Sequence, residues 1–447
     1  MSLREFLHSR GAPTWHLARQ TGSAPSVSSV RASFRTNIHE RLLQRFDLAQ
    51  FEREAPAQLR PKIKLAVEEI LAEENYALSE YDRQQITVDI QNEVLGLGPL
   101  EPLLADPSVS DILVNGCDRI YVERRGRLEL TDVRFGSNAH LLKIIERIVS
   151  RIGRRIDEAS PMVDARLPDG SRVNAVIAPL ALDGPALSIR RFSAKPLSMQ
   201  DLVDGESLSE GMASVIKGLV AAKTNLLVSG GTGSGKTTLL NALSESIPST
   251  ERVVTIEDAA ELRLHQAHVV RLETRAANIQ GIGEVTQRSL LRNGLRMRPD
   301  RIVIGEVRGA EVVDMLQAMN TGHEGSMTTV HANTPRDALI RLENMVAMSD
   351  IQVSPQALRQ QIAAAISVVV QAARLTDGRR RIVSICEVVG MEGDSISIRD
   401  IFKFEQTGLA ADGSVLGRHC ASGMEPQFAE RLRVRGIELP PGVFDRA

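Results

Sequence analysis

Residues Gly230 to Thr238 read Gly-Gly-Thr-Gly-Ser-Gly-Lys-Thr-Thr, and no other stretch restricts the fold as much. Gly230, Gly235, Lys236 and Thr237 fill the fixed positions of G-x-x-x-x-G-K-[ST]. A loop of this kind wraps a triphosphate with its backbone N–H groups pointing inward, a path that glycine follows without a Cβ clash. The candidate cradle is therefore Gly230, Gly231, Thr232, Gly233, Ser234, Gly235, Lys236, Thr237 and Thr238. Within it Lys236 would reach the β- and γ-phosphates, and the Thr237 hydroxyl would ligate Mg2+. The same letters also arise in a chance glycine-rich turn, so context decides. Asn225-Leu-Leu-Val-Ser229 is an apolar run of strand type, and Leu239, Leu240, Leu243 and Ile247 follow at helical spacing. Strand, glycine loop and helix together place the phosphates of ATP at a helix N-terminus.

A chain of 447 residues has room for two or three domains, and 43% hydrophobic with 25% charged residues is ordinary for a globular protein. A net charge of -2 supplies no overall basic field for nucleic acid. Cys117, Cys386 and Cys420 lie far apart, so neither a zinc ribbon nor a disulfide framework is expected, and a reducing cytoplasm fits. The longest apolar run, Ile362 to Val370, is about half of a membrane span. The first 37 residues are rich in Arg and Ser, with Glu5 their only acid, and no secretory h-region follows Met1. A transit peptide shares this composition; a flexible basic arm over 1–34 is the expectation.

Helical patterns at 36–53, 58–75 and 79–94 make 35–95 a small helical module, with Ser79 to Asp82 as a capping box. Over 96–192, short strands and one helix (Leu141, Ile145, Ile148 and Ile152 on one face) predict an α+β domain. Residues 193–198, Ser-Ala-Lys-Pro-Leu-Ser, read as a linker. From 199 to 404 strands alternate with helices, the order of a parallel α/β sheet. Residues 405–447 carry little pattern and form the expected C-terminal tail.

A P-loop needs acidic partners. Arg301-Ile-Val-Ile-Gly-Glu306 is an apolar strand ending in a carboxylate, and such an end faces the ligand crevice of an α/β sheet. Glu306 is thus a candidate to organise Mg2+ or polarise water. Val253 to Ile256 runs into Glu257-Asp258, and Met327 to Val330 runs into His331, with His323 just upstream. Each of these alone is as well explained as a solvated strand-end group or a structural histidine; it is their grouping at strand ends that suggests one crevice.

Four motifs now stand in order: the P-loop, Thr255-Ile-Glu-Asp258, Leu295-Arg-Met-Arg-Pro-Asp-Arg-Ile-Val-Ile-Gly-Glu-Val-Arg308, and Thr321-Gly-His-Glu-Gly-Ser-Met-Thr-Thr-Val-His331. In this the chain resembles the secretion and type IV pilus ATPases (GspE-like), over about residues 80–400. The resemblance implies a C-terminal RecA-like P-loop ATPase domain, preceded by a small α+β domain and an N-terminal helical module. It implies a homohexamer that uses ATP and Mg2+ and works at the cytoplasmic face of the inner membrane against platform proteins of a pilus machine. By motif match Glu306 is the Walker B glutamate, Glu257 the acidic-box glutamate and His331 the γ-phosphate sensor, with the choice of base between the two acids open. Arginines of the N-terminal domain close the site in such proteins, and Arg166, Arg172, Arg190 and Arg191 are the candidates by position.

Departures narrow the branch. The four-cysteine zinc module of extension-type pilus and type II secretion ATPases is missing, Gly309 stands where their motif has Asp, and Ala259 stands where they have Pro. Thr255 to Leu262, Ser110-Asp-Ile-Leu-Val-Asn-Gly116 and the helical module resemble the CpaF/TadA branch, whose members power Tad/Flp pili. The expected function is therefore pilus assembly, with retraction a further option, driven by domain rotation about 193–198. The alternatives are a type IV secretion or DNA-uptake ATPase of the same fold, a nucleic-acid motor and a nucleotide-gated scaffold. With 3% aromatic residues the chain is poorly equipped for base stacking, and no nucleic-acid partner is expected.

Overall fold

The computed structural model describes residues 38, 41–42, 56–73, 78–124, 126–192, 196–275, 277 and 282–446. The expected arm over 1–34, most of the helix expected at 36–53, and linker residues 193–195 lie outside the described residues. The chain divides into two compact units, Met1–Phe192 and Ser193–Ala447.

The first unit opens with α1 (Pro56–Glu73) and α2 (Glu80–Leu95). They pack Leu59, Ile63, Val67 and Ile70 against Ile86 and Ile90, with Ile38 and Leu42 in the same cluster. Ser79 caps α2 by accepting from the Asp82 N–H at 3.1 Å. After a short α3 (Glu101–Ala105) the chain builds an antiparallel six-stranded sheet. Its strands are β1 (Val109–Asn115), β2 (Arg119–Arg124), β3 (Arg127–Leu130), β4 (Met162–Arg166), β5 (Arg172–Val176) and β6 (Ala186–Arg190), in the order β3-β2-β1-β6-β5-β4. The helix α4 (Asn138–Arg151) buries Leu141, Ile144, Ile145 and Ile148 in the core that this sheet shares.

The second unit is a nine-stranded sheet in the order β15-β14-β13-β12-β7-β11-β10-β8-β9. Its parallel part is β7 (Leu226–Gly230), β8 (Val253–Glu257), β9 (Val269–Glu273), β10 (Arg301–Ile304), β11 (Met327–Val330) and β12 (Val368–Arg374). Strands β13 (Arg380–Glu392), β14 (Ser395–Leu409) and β15 (Val415–Ala421) extend it antiparallel. The central strands are buried on both sides, so they read as unbroken apolar runs without alternation.

Successive residues serve opposite faces. Leu226 and Val228 join the core under α5 (Met199–Asp204), α6 (Glu210–Ala221) and α7 (Lys236–Ser244). Leu227 joins the other core, under α8 (Gln287–Gly294), α9 (Glu311–Asn320), α10 (Pro335–Ala347) and α11 (Pro355–Ala365). Helices on both faces of a parallel sheet with a P-loop after its central strand are the RecA-like architecture.

Residues 405–447 differ from the sequence expectation. They complete β14, form β15 and α12 (Phe428–Val434), and add Ala421, Phe428 and Leu432 to the core beneath α6. Their pattern is faint because β14 and β15 expose much of their length at the sheet's margin, where alternation is diluted.

Candidate nucleotide site

The P-loop joins β7 to α7 where the strand order passes from β11 to β12, the position at which open α/β sheets bind ligands. Gly233 and Gly235 take φ of 72° and 96°, the left-handed region that side chains resist. Gly230 is required for another reason: a Cβ there would lie 2.4 Å from the Ala372 carbonyl oxygen of the adjoining strand and 2.4 Å from Ser234 Oγ. Lys236, Thr237 and Thr238 open α7, Lys236 buried and the threonines half-buried, with Gly235 as N-cap. The loop amides and helix terminus thus form a nest for phosphate oxygens. Lys236 Nζ donates to the carbonyls of Gly230 at 3.0 Å and Gly231 at 3.1 Å.

Three motifs meet this loop. His331 follows β11, and its Nε2 lies 2.9 Å from Glu306 Oε2. Lys236 Nζ stands 3.3 Å from His331 Nδ1. The tautomer with a proton on Nε2 satisfies both contacts, donating to Glu306 and accepting from Lys236. The other Glu306 oxygen accepts from Arg308 Nε at 2.8 Å, and Arg308 Nη1 is 3.6 Å from Asp258 Oδ2. Burial works to raise the Glu306 carboxyl, but the Arg308 hydrogen bond and the charges of Arg308, His331 and Lys236 outweigh it and hold the pKa below the usual carboxylate value. Burial, with the Lys236 charge, lowers the His331 pKa against the pull of Glu306.

Glu257 ends β8 beside this group and is buried. Its Oε1 accepts the N–H groups of Glu261 and Leu262, each at 2.9 Å. Burial pushes its pKa up to about 7, against the pull of those two hydrogen bonds. A Cβ on Gly305 would meet Glu257 Cγ at 2.9 Å, so the glycine preceding Glu306 is what lets the two acidic motifs pack together. Among the described residues, Glu257 Oε2, Ser234 Oγ and Ser229 Oγ are buried atoms without a hydrogen-bond partner. A phosphate-bearing ligand fits such a place: amides, a lysine and an uncommitted hydroxyl around glycines that leave the loop open.

The remaining sequence candidates fall elsewhere. His323 precedes β11, so the strand separates it from His331 and it sits at the opposite end of the sheet, which corrects its inclusion in the crevice. In the first unit, Arg166 pairs with Arg172 and Arg172 with Arg190 across β4, β5 and β6, a row on one face. Arg191 falls out of this row: its Nη1 is taken by the carbonyls of Asp106 and Val109, the latter at 3.0 Å. Sequence reasoning assigned no role to Arg308 or to Arg380, whose Nε donates to the Gly233 carbonyl at 2.9 Å. Arg308 stands inside a motif and could have been noticed; Arg380 lies 147 residues from its partner, and nothing in the sequence joins them.

Comparison with known proteins identifies the family. Residues 93–425 match the family described as "Type II/IV secretion system protein", and residues 32–95 match "Type II secretion system protein E, N-terminal domain". A Mycobacterium tuberculosis protein whose name provisionally assigns it to conjugal transfer is 42% identical over 310 residues, 68% of this chain and 88% of that protein. The conjugal transfer protein TrbB of Rhizobium radiobacter is 33% identical over 65% of this chain and 86% of its own length. Among solved structures, the VirB11 ATPase of the Brucella suis type IV secretion system, in complex with sulphate, is 28% identical with a TM-score of 0.36, covering 65% of this chain and 96% of that one. The family match runs through both units and includes all four motifs, and on that ground the chain belongs to the type II/IV secretion system ATPases.

Proposed function

We propose that this ATPase is the hexameric motor of a Tad/Flp-type pilus assembly machine, acting with Mg2+ at the cytoplasmic face of the inner membrane against platform proteins. The observation that carries its chemistry is the run Lys236–His331–Glu306 at the mouth of the P-loop. ATP, when bound, supplies the phosphoryl group. Lys236, itself buried, offsets charge that develops on the transferring phosphoryl oxygens. Glu306, kept ionised by Arg308, orients the attacking water and takes its proton. Thr237 would hold Mg2+, with Glu306 contributing through a bound water, since that cation keeps several waters and takes few protein ligands. His331, in contact with both Lys236 and Glu306, would register the γ-phosphate. The row Arg166, Arg172 and Arg190 offers the first unit a surface for phosphate oxygens.

The pilus assignment rests on the resemblance to the CpaF/TadA branch. A second reading, a type IV secretion ATPase, is favoured by the conjugal transfer names of the relatives. Deleting the protein from its host separates the two. Loss of surface filaments with intercellular transfer intact supports the pilus motor; intact filaments with loss of transfer rejects it in favour of secretion.

A further inference from the structure

Arg379, Arg380 and Arg381 run from the turn after β12 into β13. Neighbours in an extended chain point to opposite sides, and these three do. Arg379 Nη1 lies 3.3 Å and Arg381 Nη2 3.2 Å from the same oxygen, Glu206 Oε2. Arg381 Nη1 also donates to the Glu206 carbonyl at 2.7 Å, and the Ile382 N–H donates to the Ser207 carbonyl at 2.7 Å. Arg380, between them, turns to the phosphate loop and donates from Nε to the Gly233 carbonyl at 2.9 Å. Its stem lies along the outside of the loop, where a Cβ on Gly235 would be 3.4 Å from Arg380 Cδ.

Each end of this bridge has a consequence. A peptide is planar and trans, so its carbonyl and the next N–H point to opposite sides. With the Gly233 carbonyl drawn outward by Arg380, the Ser234 N–H is turned away from Arg380, toward the side that receives phosphate oxygens. At the other end, Glu206 holds φ of 55°, a conformation a non-glycine residue keeps only where its surroundings impose it. Glu206 follows α5, the first helix after the segment 193–198. The start of α5 is tied to the same machinery: the Met199 N–H donates to Glu245 Oε2 at 3.3 Å, and Glu245 ends the P-loop helix α7.

We propose that Arg380 is a positioning residue for the phosphate loop, and that the Arg379–Arg381 run links the geometry of that loop to the α5–Glu206 segment that opens the second unit. The inference rests on nucleotide binding at the P-loop. Phosphate fixes the Gly233–Ser234 peptide, that peptide fixes Arg380, and the two flanking arginines pass the restraint to Glu206.

The test measures the dissociation constant for MgATP together with hydrogen–deuterium exchange over residues 199–209, with and without nucleotide. Arg380→Ala should weaken MgATP binding about fivefold or more, the scale of one charge-assisted hydrogen bond. Arg380→Lys, which keeps a donor and a charge, should recover part of that loss. In the wild type, nucleotide should slow exchange over 199–209. Glu206→Ala removes the carboxylate that both flanking arginines share, away from the loop, so it should keep MgATP affinity within about threefold, yet diminish that slowing. Wild-type affinity in Arg380→Ala overturns the positioning role. Absence of slowing in the wild type, or undiminished slowing in Glu206→Ala, overturns the linkage. A wild-type chain that binds no MgATP overturns the P-loop reading on which both stand.

Discussion

At the residue scale the question is which of two neighbouring acids serves as base, and their surroundings set them apart. Glu306 is held ionised by Arg308, whereas Glu257 is buried with a pKa near 7. We expect Glu306→Gln to bind ATP with near-normal affinity, because binding rests on the loop amides and Lys236. Its turnover should fall at least about a hundredfold, the scale of a lost general base. The pH profile gives an independent check. If Glu306 is the base, kcat at saturating MgATP stays level as pH falls from 8 to 6; a decline through pH 7 would transfer the role to Glu257. The same shift affects folding. The Glu257 pKa is raised on folding, so its contribution is fully present below the unfolded carboxyl value of 4.5 and is lost as pH rises through about 7. In chemical denaturation of the nucleotide-free protein, Glu257→Gln should remove this slope, which in the wild type amounts to on the order of 3 kcal/mol between pH 4 and pH 8.

At the scale of elements, the C-terminal segment acts as part of the ATPase core. Leu432 of α12 is buried, and with Ile437 and Leu439 it lies against Gly218 of α6, where a Cβ would come within 3.2 Å of Ile437 Cγ2. A glycine on a helix face admits a chain at close range, and the segment after α12 uses that opening. Leu432→Ala should therefore cost about 2–5 kcal/mol, as for a large-to-small change in a packed core. Calorimetry should find this loss within the main unfolding transition; a separate low-temperature transition would mean that α12 unfolds as an appendage. The histidine box shows similar packing logic. A Cβ on Gly325 would meet Arg301 Nη1 at 2.8 Å, and Arg301 is a fully buried guanidinium paired with Glu251. The first half of that motif thus serves packing at one end of β11, and His331, past the other end, lies beside Lys236 of the phosphate loop.

For the whole molecule, the proposed ring makes a prediction that one subunit cannot. If subunits fire in a coupled order, Glu306→Gln chains should poison mixed assemblies, and ATPase activity should fall faster than linearly with the mutant fraction. Co-assembly at graded ratios measures this, and a strictly linear decline would reject the coupling.

Much of the site could be read from the sequence, because its parts are local. The P-loop needs glycines at fixed offsets, Gly233 and Gly235 in left-handed backbone, and that requirement leaves a literal signature. Glu257, Glu306 and His331 each stand at the end of a short strand, and parallel strands deliver their C-terminal ends to one edge whatever their order in the sheet. What needed the tertiary structure was everything set by pairing between distant segments. Register across β4, β5 and β6 put Arg166, Arg172 and Arg190 in a row and turned Arg191 away. Hydrogen bonds spanning 147 and 175 residues brought Arg380 to the phosphate loop and Arg381 to Glu206. The environment of Glu257, which decides whether that carboxyl is charged, came from packing against Gly305 and from its burial. Sequence thus determined the groups that local backbone geometry must supply, while their partners, protonation and mutual reach were decided only when the sheet assembled, since those depend on distances between segments that no local pattern encodes.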